Sequence, residues 1–243
     1  MLPSAPHSLP LPLVLLPSVV LLLLSPLLSP FASSLNNGLA LTPPLGWSTW
    51  NVFECQYTET DLREVAEALV SSGLAAAGYR SFNIDDCWMA DERTADGQLT
   101  YNSTKFPNGM AAFGDYLHSL NLSLGLYSSS GPATCQGYPG SEGFEAQDAK
   151  TLASWGTDFF KLDACYQFNV SARQRSFEAM RDGLQATGRP VVFSCSTPEL
   201  ILKVHNPEHP SVWGPDTCNM ARIQWVRHSA MKPSRAQQPA SIA

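Results

Sequence analysis

Charge is scarce in this chain. Asp, Glu, Lys and Arg make up 15% of its 243 residues, against roughly 25% in ordinary soluble domains. The net charge is −6, and no basic face is available for a nucleic acid. There is no CxxC pair and no Cys/His cluster, which excludes a structural zinc site. No glycine-rich phosphate loop follows the first strand-like segment, which disfavours a nucleotide-binding sheet. The N-terminus also lacks the positive charge of an ordinary leader, offering only His7.

What the N-terminus has is an apolar run from Leu9 to Pro30. Pro10, Pro12, Pro17, Pro26 and Pro30 interrupt it, which argues against a stable spanning helix. Ala32 and Ser34 give the small-x-small pattern of a cleavage site. Residues 1–34 therefore read as a cleaved signal peptide in preference to an uncleaved anchor. The cysteines agree: Cys55, Cys87, Cys135, Cys165, Cys195 and Cys218 are an even set in a chain with a leader, and read as disulfides. Glycosylation sequons begin at Asn102, Asn121 and Asn169. These signals point to the secretory pathway, with an extracellular, vacuolar or lysosomal end point.

From Leu41 onward, short apolar runs alternate with longer amphipathic ones. Strands are expected over 45–50, 80–87, 122–128, 159–165, 191–196 and 217–223. Helices are expected over 61–72, 113–120, 145–155 and 172–187, with Thr58 capping the first and Gly73 stopping it. Such alternation means a parallel sheet under helices, either doubly wound or a (β/α)8 barrel. Polar residues recur at strand ends (Asp85, Asp86, Tyr127, Asp163, Ser196), which is where a barrel builds its site. The expected fold is a (β/α)8 TIM-barrel over 35–223, truncated after about six strands, followed by a polar tail over 224–243.

The chemistry concentrates in Phe159-Phe160-Lys161-Leu162-Asp163-Ala164-Cys165. Strand alternation puts Phe159, Lys161 and Asp163 on one face. A buried carboxylate needs an opposite charge, which Lys161 supplies. A carboxylate at a strand end suits nucleophilic attack on a sugar carbon. A structural ion pair lining the barrel is the plainer account of the same residues. Asp85 and Asp86 can together meet sugar hydroxyls only if their strand ends there. They could instead bind a divalent ion, as in a metal-dependent isomerase. Trp50 and Trp88 could stack on a sugar ring, or belong to the core.

Taken in order, five motifs resemble those of the melibiase-like α-galactosidases and α-N-acetylgalactosaminidases. They are Leu41-Thr42-Pro43-Pro44-Leu45-Gly46-Trp47, Asn83-Ile84-Asp85-Asp86-Cys87-Trp88, Phe106-Pro107-Asn108-Gly109, Leu124-Gly125-Leu126-Tyr127 and Phe160-Lys161-Leu162-Asp163-Ala164-Cys165. The resemblance runs from about Leu35 to Arg222. It implies that Asp163 is the nucleophile of a retaining hydrolase and that Lys161, Asp85, Asp86 and Arg222 hold the sugar. It implies Trp50 and Tyr127 as pocket walls, with Cys135, Cys165 and Ser196 at the binding site. It also implies the bridges Cys55–Cys87, Cys135–Cys165 and Cys195–Cys218.

The implied substrates are α-galactoside oligosaccharides or glycoconjugates, with no cofactor, no metal and no nucleic acid, and a homodimer in the full-length protein. The sequence departs from the resemblance in two places. The general acid/base Asp expected four residues after Arg222 is Val226, and no carboxylate follows it. Its loss should slow ordinary glycosides by at least ~10²–10⁴-fold. At the carbon-2 reader, Ser196 matches the N-acetylgalactosaminidase type, whereas Glu199 does not. The leading expectation is α-galactoside hydrolysis. An α-N-acetylgalactosaminidase and a non-catalytic galactose-binding protein are the alternatives.

Overall fold

The structure is a computed structural model that describes residues 35, 37–197 and 209–222. The leader, the segment holding Glu199, and the chain from 223 with Val226 lie outside the described residues. Six strands follow one another: β1 (Gly46–Ser48), β2 (Ser81–Asn83), β3 (Ser123–Ser129), β4 (Thr157–Asp163), β5 (Val192–Ser196) and β6 (Met220–Arg222). Each pairs in parallel with the next, in the order β1-β2-β3-β4-β5-β6. A doubly wound sheet reverses its strand order at a switch point. This sheet has no reversal and has the order of a TIM-barrel, of which it is a part.

The helices are α1 (Trp50–Phe53), α2 (Glu59–Ser71), α3 (Met110–Ser119), α4 (Glu145–Ser154), α5 (Val170–Ala186) and α6 (Pro210–Thr217). Apolar spacing makes α2 amphipathic: Leu62, Ala66 and Leu69 fall on one stripe and are buried. Its start is fixed by a capping box in which the Thr58 hydroxyl accepts from Asp61 N and the Asp61 carboxylate accepts from Thr58 N. The same logic buries Phe113 and Leu117 of α3 and Phe177, Met180 and Leu184 of α5. Helices α4 and α5 approach closely because Gly183 has no Cβ, which would lie 3.0 Å from that of Ala149.

The core lies between helices and sheet. Phe82, Phe160 and Phe193 project from β2, β4 and β5 and are almost wholly buried. Phe160 stacks on Phe193 at 6.2 Å, while Phe82 meets Phe113 edge-on at 6.2 Å. Strand alternation then sends Lys161 and Asp163 to the opposite face of β4.

Three of the differences from the sequence expectation concern the segments around the site. Strand β2 ends at Asn83, so Asp85 and Asp86 sit in the loop. Trp50 opens α1 and does not close β1. Helix α6, with Pro210 in its first turn and Pro215 inside it, carries no apolar period that would have announced it.

Candidate functional site

The candidate catalytic and sugar-binding residues come from the C-terminal ends of strands or the segments just beyond. Three disulfides tie these segments together: Cys55–Cys87, Cys135–Cys165 and Cys195–Cys218, with Cα–Cα separations of 5.3, 5.2 and 6.0 Å. These separations lie within the ordinary disulfide range.

The loop after β2 is organised by its own carboxylates. Asp85 N donates to Thr49 Oγ1 at 2.9 Å, and Asp86 N donates to Asp85 Oδ1 at 2.9 Å. Cys87 N and Gln136 N donate to the two oxygens of Asp86 at 2.8 and 2.9 Å. Asp86 is 1% exposed. Burial pushes its carboxyl above the usual carboxylate range, against the pull of the donors from Thr134, Gln136 and Cys87. Asp86 thus braces the loop, while Asp85 reaches across the sheet. Asp85 Oδ2 accepts from Lys161 Nζ at 2.7 Å.

Asp163 is the centre of the arrangement. Its Oδ1 accepts from Ser196 Oγ at 2.9 Å and from Ala164 N at 2.9 Å, with Arg222 Nη2 at 3.6 Å. Its Oδ2 has only longer neighbours: the Tyr127 hydroxyl at 3.4 Å, Cys135 Sγ at 3.8 Å and Lys161 Nζ at 3.9 Å. Oδ1 is therefore the more closely held of the two oxygens. Lys161 stands between Asp85 and Asp163 and also lies 4.8 Å from the Tyr127 ring centroid. Burial, then the nearby Asp163 carboxylate, pushes the Tyr127 phenol up, so it stays a neutral donor.

The structure therefore gathers Asp85, Tyr127, Cys135, Lys161, Asp163, Ser196 and Arg222, with Asp86 behind them. Trp50 is half-buried beside Thr49, and Cys165 is held to Cys135. Trp88 is not a sugar platform: it is fully buried, its indole N–H donates to Tyr127 O at 2.9 Å, and its ring meets Trp155 edge-on. Among the described residues, Cys135, Asp163 and Cys165 lie close enough together to suggest a cation site. Both sulfurs are committed to a disulfide, so the set lacks the thiolates a metal would need.

Sequence reasoning passed over Thr49, Thr134 and Gln136, which hold the acidic loop. It also missed the ion pair of Arg93 with Asp148, whose partners are 55 positions apart. Of the sequon residues, Asn121 and Asn169 are exposed, and Asn169 also caps α5 by accepting from Ala172 N. Asn102 is half-buried, with its side-chain oxygen turned to Thr104 N and Lys105 N. Among the described residues no helix is long and apolar enough to cross a membrane.

A barrel-order parallel sheet that brings a carboxylate, its lysine and an arginine to its C-terminal strand ends places the chain among the glycoside hydrolases. Within that class it belongs to the alpha galactosidase A family, whose family model matches residues 42–225. It is 45% identical over 189 residues to Alpha-galactosidase 2 of Arabidopsis thaliana, covering 77% of this chain and 46% of that one.

Among solved structures it resembles α-galactosidase I from Mortierella vinacea (TM-score 0.64, 43% identity, 66% of this chain and 41% of that one). It also resembles α-galactosidase from Saccharomyces cerevisiae with raffinose (TM-score 0.70, 38% identity, 76% of this chain and 40% of that one). The chain spans about half the length, or less, of the curated relatives it matches, 46%, 48% and 38% for three of them.

Proposed function

We propose that this chain carries the nucleophile side of a retaining site for terminal, non-reducing α-D-galactosides. The observation that carries the reading is the unequal dress of the two Asp163 oxygens. Ser196 and Ala164 hold Oδ1. Oδ2 faces Tyr127 and Lys161 and is the oxygen that attacks the anomeric carbon. As the Oδ2–carbon bond forms, the bond from that carbon to the leaving oxygen breaks, giving a covalent galactosyl ester that water later cleaves. Lys161, Asp85 and Arg222 line the space where hydroxyls of the sugar would be held. The α-galactosidase relatives support the substrate class, and the oligosaccharide in the yeast complex points to raffinose-like galactosides.

A proton must reach the leaving oxygen of an ordinary glycoside. With Val226 where the family resemblance expects that acid, we infer that this chain reacts best with a leaving group needing no proton. The test is α-galactosyl fluoride. Attack by Oδ2 expels fluoride with its electron pair, and the ester accumulates because Val226 cannot act as the general base that would hasten its hydrolysis. The expected result is a single galactosyl group on the peptide containing Asp163, detected by mass spectrometry. Galactose binding with no adduct would favour a galactose-binding protein, and an adduct on another residue would discard the assignment.

Ser196 gives a narrower test. Its hydroxyl aims Oδ1, so Ser196→Ala should slow adduct formation about tenfold, in keeping with the ~1.5–3 kcal/mol of a hydrogen bond to a charged group, part of which appears in the rate. Ser196→Thr keeps the hydroxyl and should recover most of the loss. A small residue at 196 also favours testing α-N-acetylgalactosaminides as a second substrate. We place the protein in the secretory pathway, a reading supported by its three disulfides.

A further inference from the structure

The segment joining β4 to α5 alternates in a way that the site so far does not use. Cys165, Gln167 and Asn169 are anchored. Cys165 N donates to Ser129 Oγ at 2.9 Å, and the Ser129 hydroxyl donates to Cys165 O at 3.1 Å. Gln167 Nε2 donates to Glu142 Oε1 at 2.7 Å, and Gln167 O accepts from Arg173 Nη2 at 2.6 Å. Asn169 caps α5.

Between these anchors, Tyr166 and Phe168 point outward, 51% and 86% exposed. Tyr166 also holds a left-handed backbone, φ 59°, a conformation that disfavours a bulky side chain and persists where the surroundings enforce it. Two large aromatics on a tightly held loop, one of them in a strained conformation, are an unusual thing to leave in water.

Their place in the chain says what could cover them. Tyr166 follows Asp163 by three residues, so their Cα atoms lie within about 11 Å, and both belong to the C-terminal end of β4 and the loop after it, the end at which a barrel builds its site. The Cys135–Cys165 disulfide, with Cys135 Sγ 3.8 Å from Asp163 Oδ2, borders the nucleophile, and Tyr166 is the next residue along the chain, exposed to solvent. A sugar held against Lys161, Asp85 and Arg222 lies at the floor. Attack by Oδ2 expels the leaving group on the opposite face of that sugar's anomeric carbon, so whatever is joined there points away from Asp163 and out toward the loops around the site.

We propose that Tyr166 and Phe168 are the platform for the sugar ring on the leaving-group side of the scissile bond. This makes the site one for oligosaccharide α-galactosides, with the C–H faces of that ring packed on the aromatic faces. The proposal rests on the galactoside reading above. It predicts a contribution to the binding of longer saccharides and none to the binding of galactose itself.

The experiment measures dissociation constants of galactose and of raffinose, whose terminal galactose is followed by further sugar rings. It uses calorimetry on the Asp163→Asn protein, in which raffinose stays intact. Raffinose should bind more tightly than galactose. Phe168→Ala and Tyr166→Gly should each reduce that preference by about 3- to 10-fold, the range for an aromatic contact, with the galactose constant unchanged. Tyr166→Gly removes the ring at a position whose backbone suits glycine, so an unchanged or raised melting midpoint separates loss of the platform from loss of the fold. An unchanged raffinose preference in both variants overturns the platform while leaving the galactoside reading in place. Failure of the parent protein to bind galactose overturns that reading and the platform with it.

Discussion

Replacing Asp163 with Asn is expected to lower the rate of galactosyl transfer by at least ~10³-fold while leaving galactose binding and the fold in place. The amide is nearly the same shape as the carboxylate. Its oxygen can take the Oδ1 position and keep accepting from Ser196 Oγ and Ala164 N. What disappears is the second oxygen with its negative charge, the atom we assign to attack. Lys161 stays bound to Asp85 at 2.7 Å, so the side of the site to which we assign hydroxyl binding persists. Galactosyl fluoride turnover or adduct formation reports the rate, and galactose titration reports the binding. Activity within tenfold of the parent would remove Asp163 from the nucleophile role. Loss of binding together with activity would show that the variant had disturbed the site as a whole.

The largest stability effect is expected at Arg93 and Asp148. Asp148 is fully buried in α4, and each of its oxygens accepts from a different guanidinium nitrogen of Arg93 at 2.7 Å. The same guanidinium donates to Gly97 O and Gly140 O and lies 4.0 Å from the centroid of the Phe144 ring. Asp148→Ala leaves a mostly buried cation without its counter-charge, and a loss of ~3–5 kcal/mol is expected. Arg93→Ala strands the carboxylate and should do comparable harm. An apolar double replacement should cost less than the sum of the two. Equilibrium denaturant unfolding checks this. A shift under about 1 kcal/mol for Asp148→Ala, the scale of an exposed ion pair, would show that the pair contributes little.

Where the sequence was informative, a local period carried the message. The two-residue alternation in Phe159-Phe160-Lys161-Leu162-Asp163 divides β4 into a buried aromatic side and a charged side. The Thr58 cap and the 3.6-residue spacing locate α2. The misplaced features depend on partners far along the chain. The strand expected over 80–87 stops at Asn83 because the next residues bond elsewhere: Asp85 to Thr49, Asp86 to Gln136, and Cys87, with φ 78°, to Cys55. Trp88 has the composition of a sugar platform. Only the carbonyl of Tyr127, 39 positions away, shows that its N–H is already engaged. The Lys161–Asp85 contact spans 76 positions, so alternation could place Lys161 on the correct face without naming which carboxylate it meets. Helix α6 escaped because Gly214 and Pro215 in its interior read as a turn.

Two disulfides couple consecutive strand–helix units, the first with the second and the third with the fourth, and the last closes the fifth unit from β5 to the end of α6. The partners are separated by only 32, 30 and 23 positions. Each cysteine thus finds its mate in its own unit or in the next to leave the ribosome, and no bond has to wait for a distant part of the chain. Oxidation can then follow synthesis in order, and each closed pair reduces the number of wrong partners left for those that emerge later. Three bonds that allow fifteen arrangements on paper become three successive choices, each made among few competitors, so that correct pairing is favoured by the timing of emergence before the finished fold exists to enforce it.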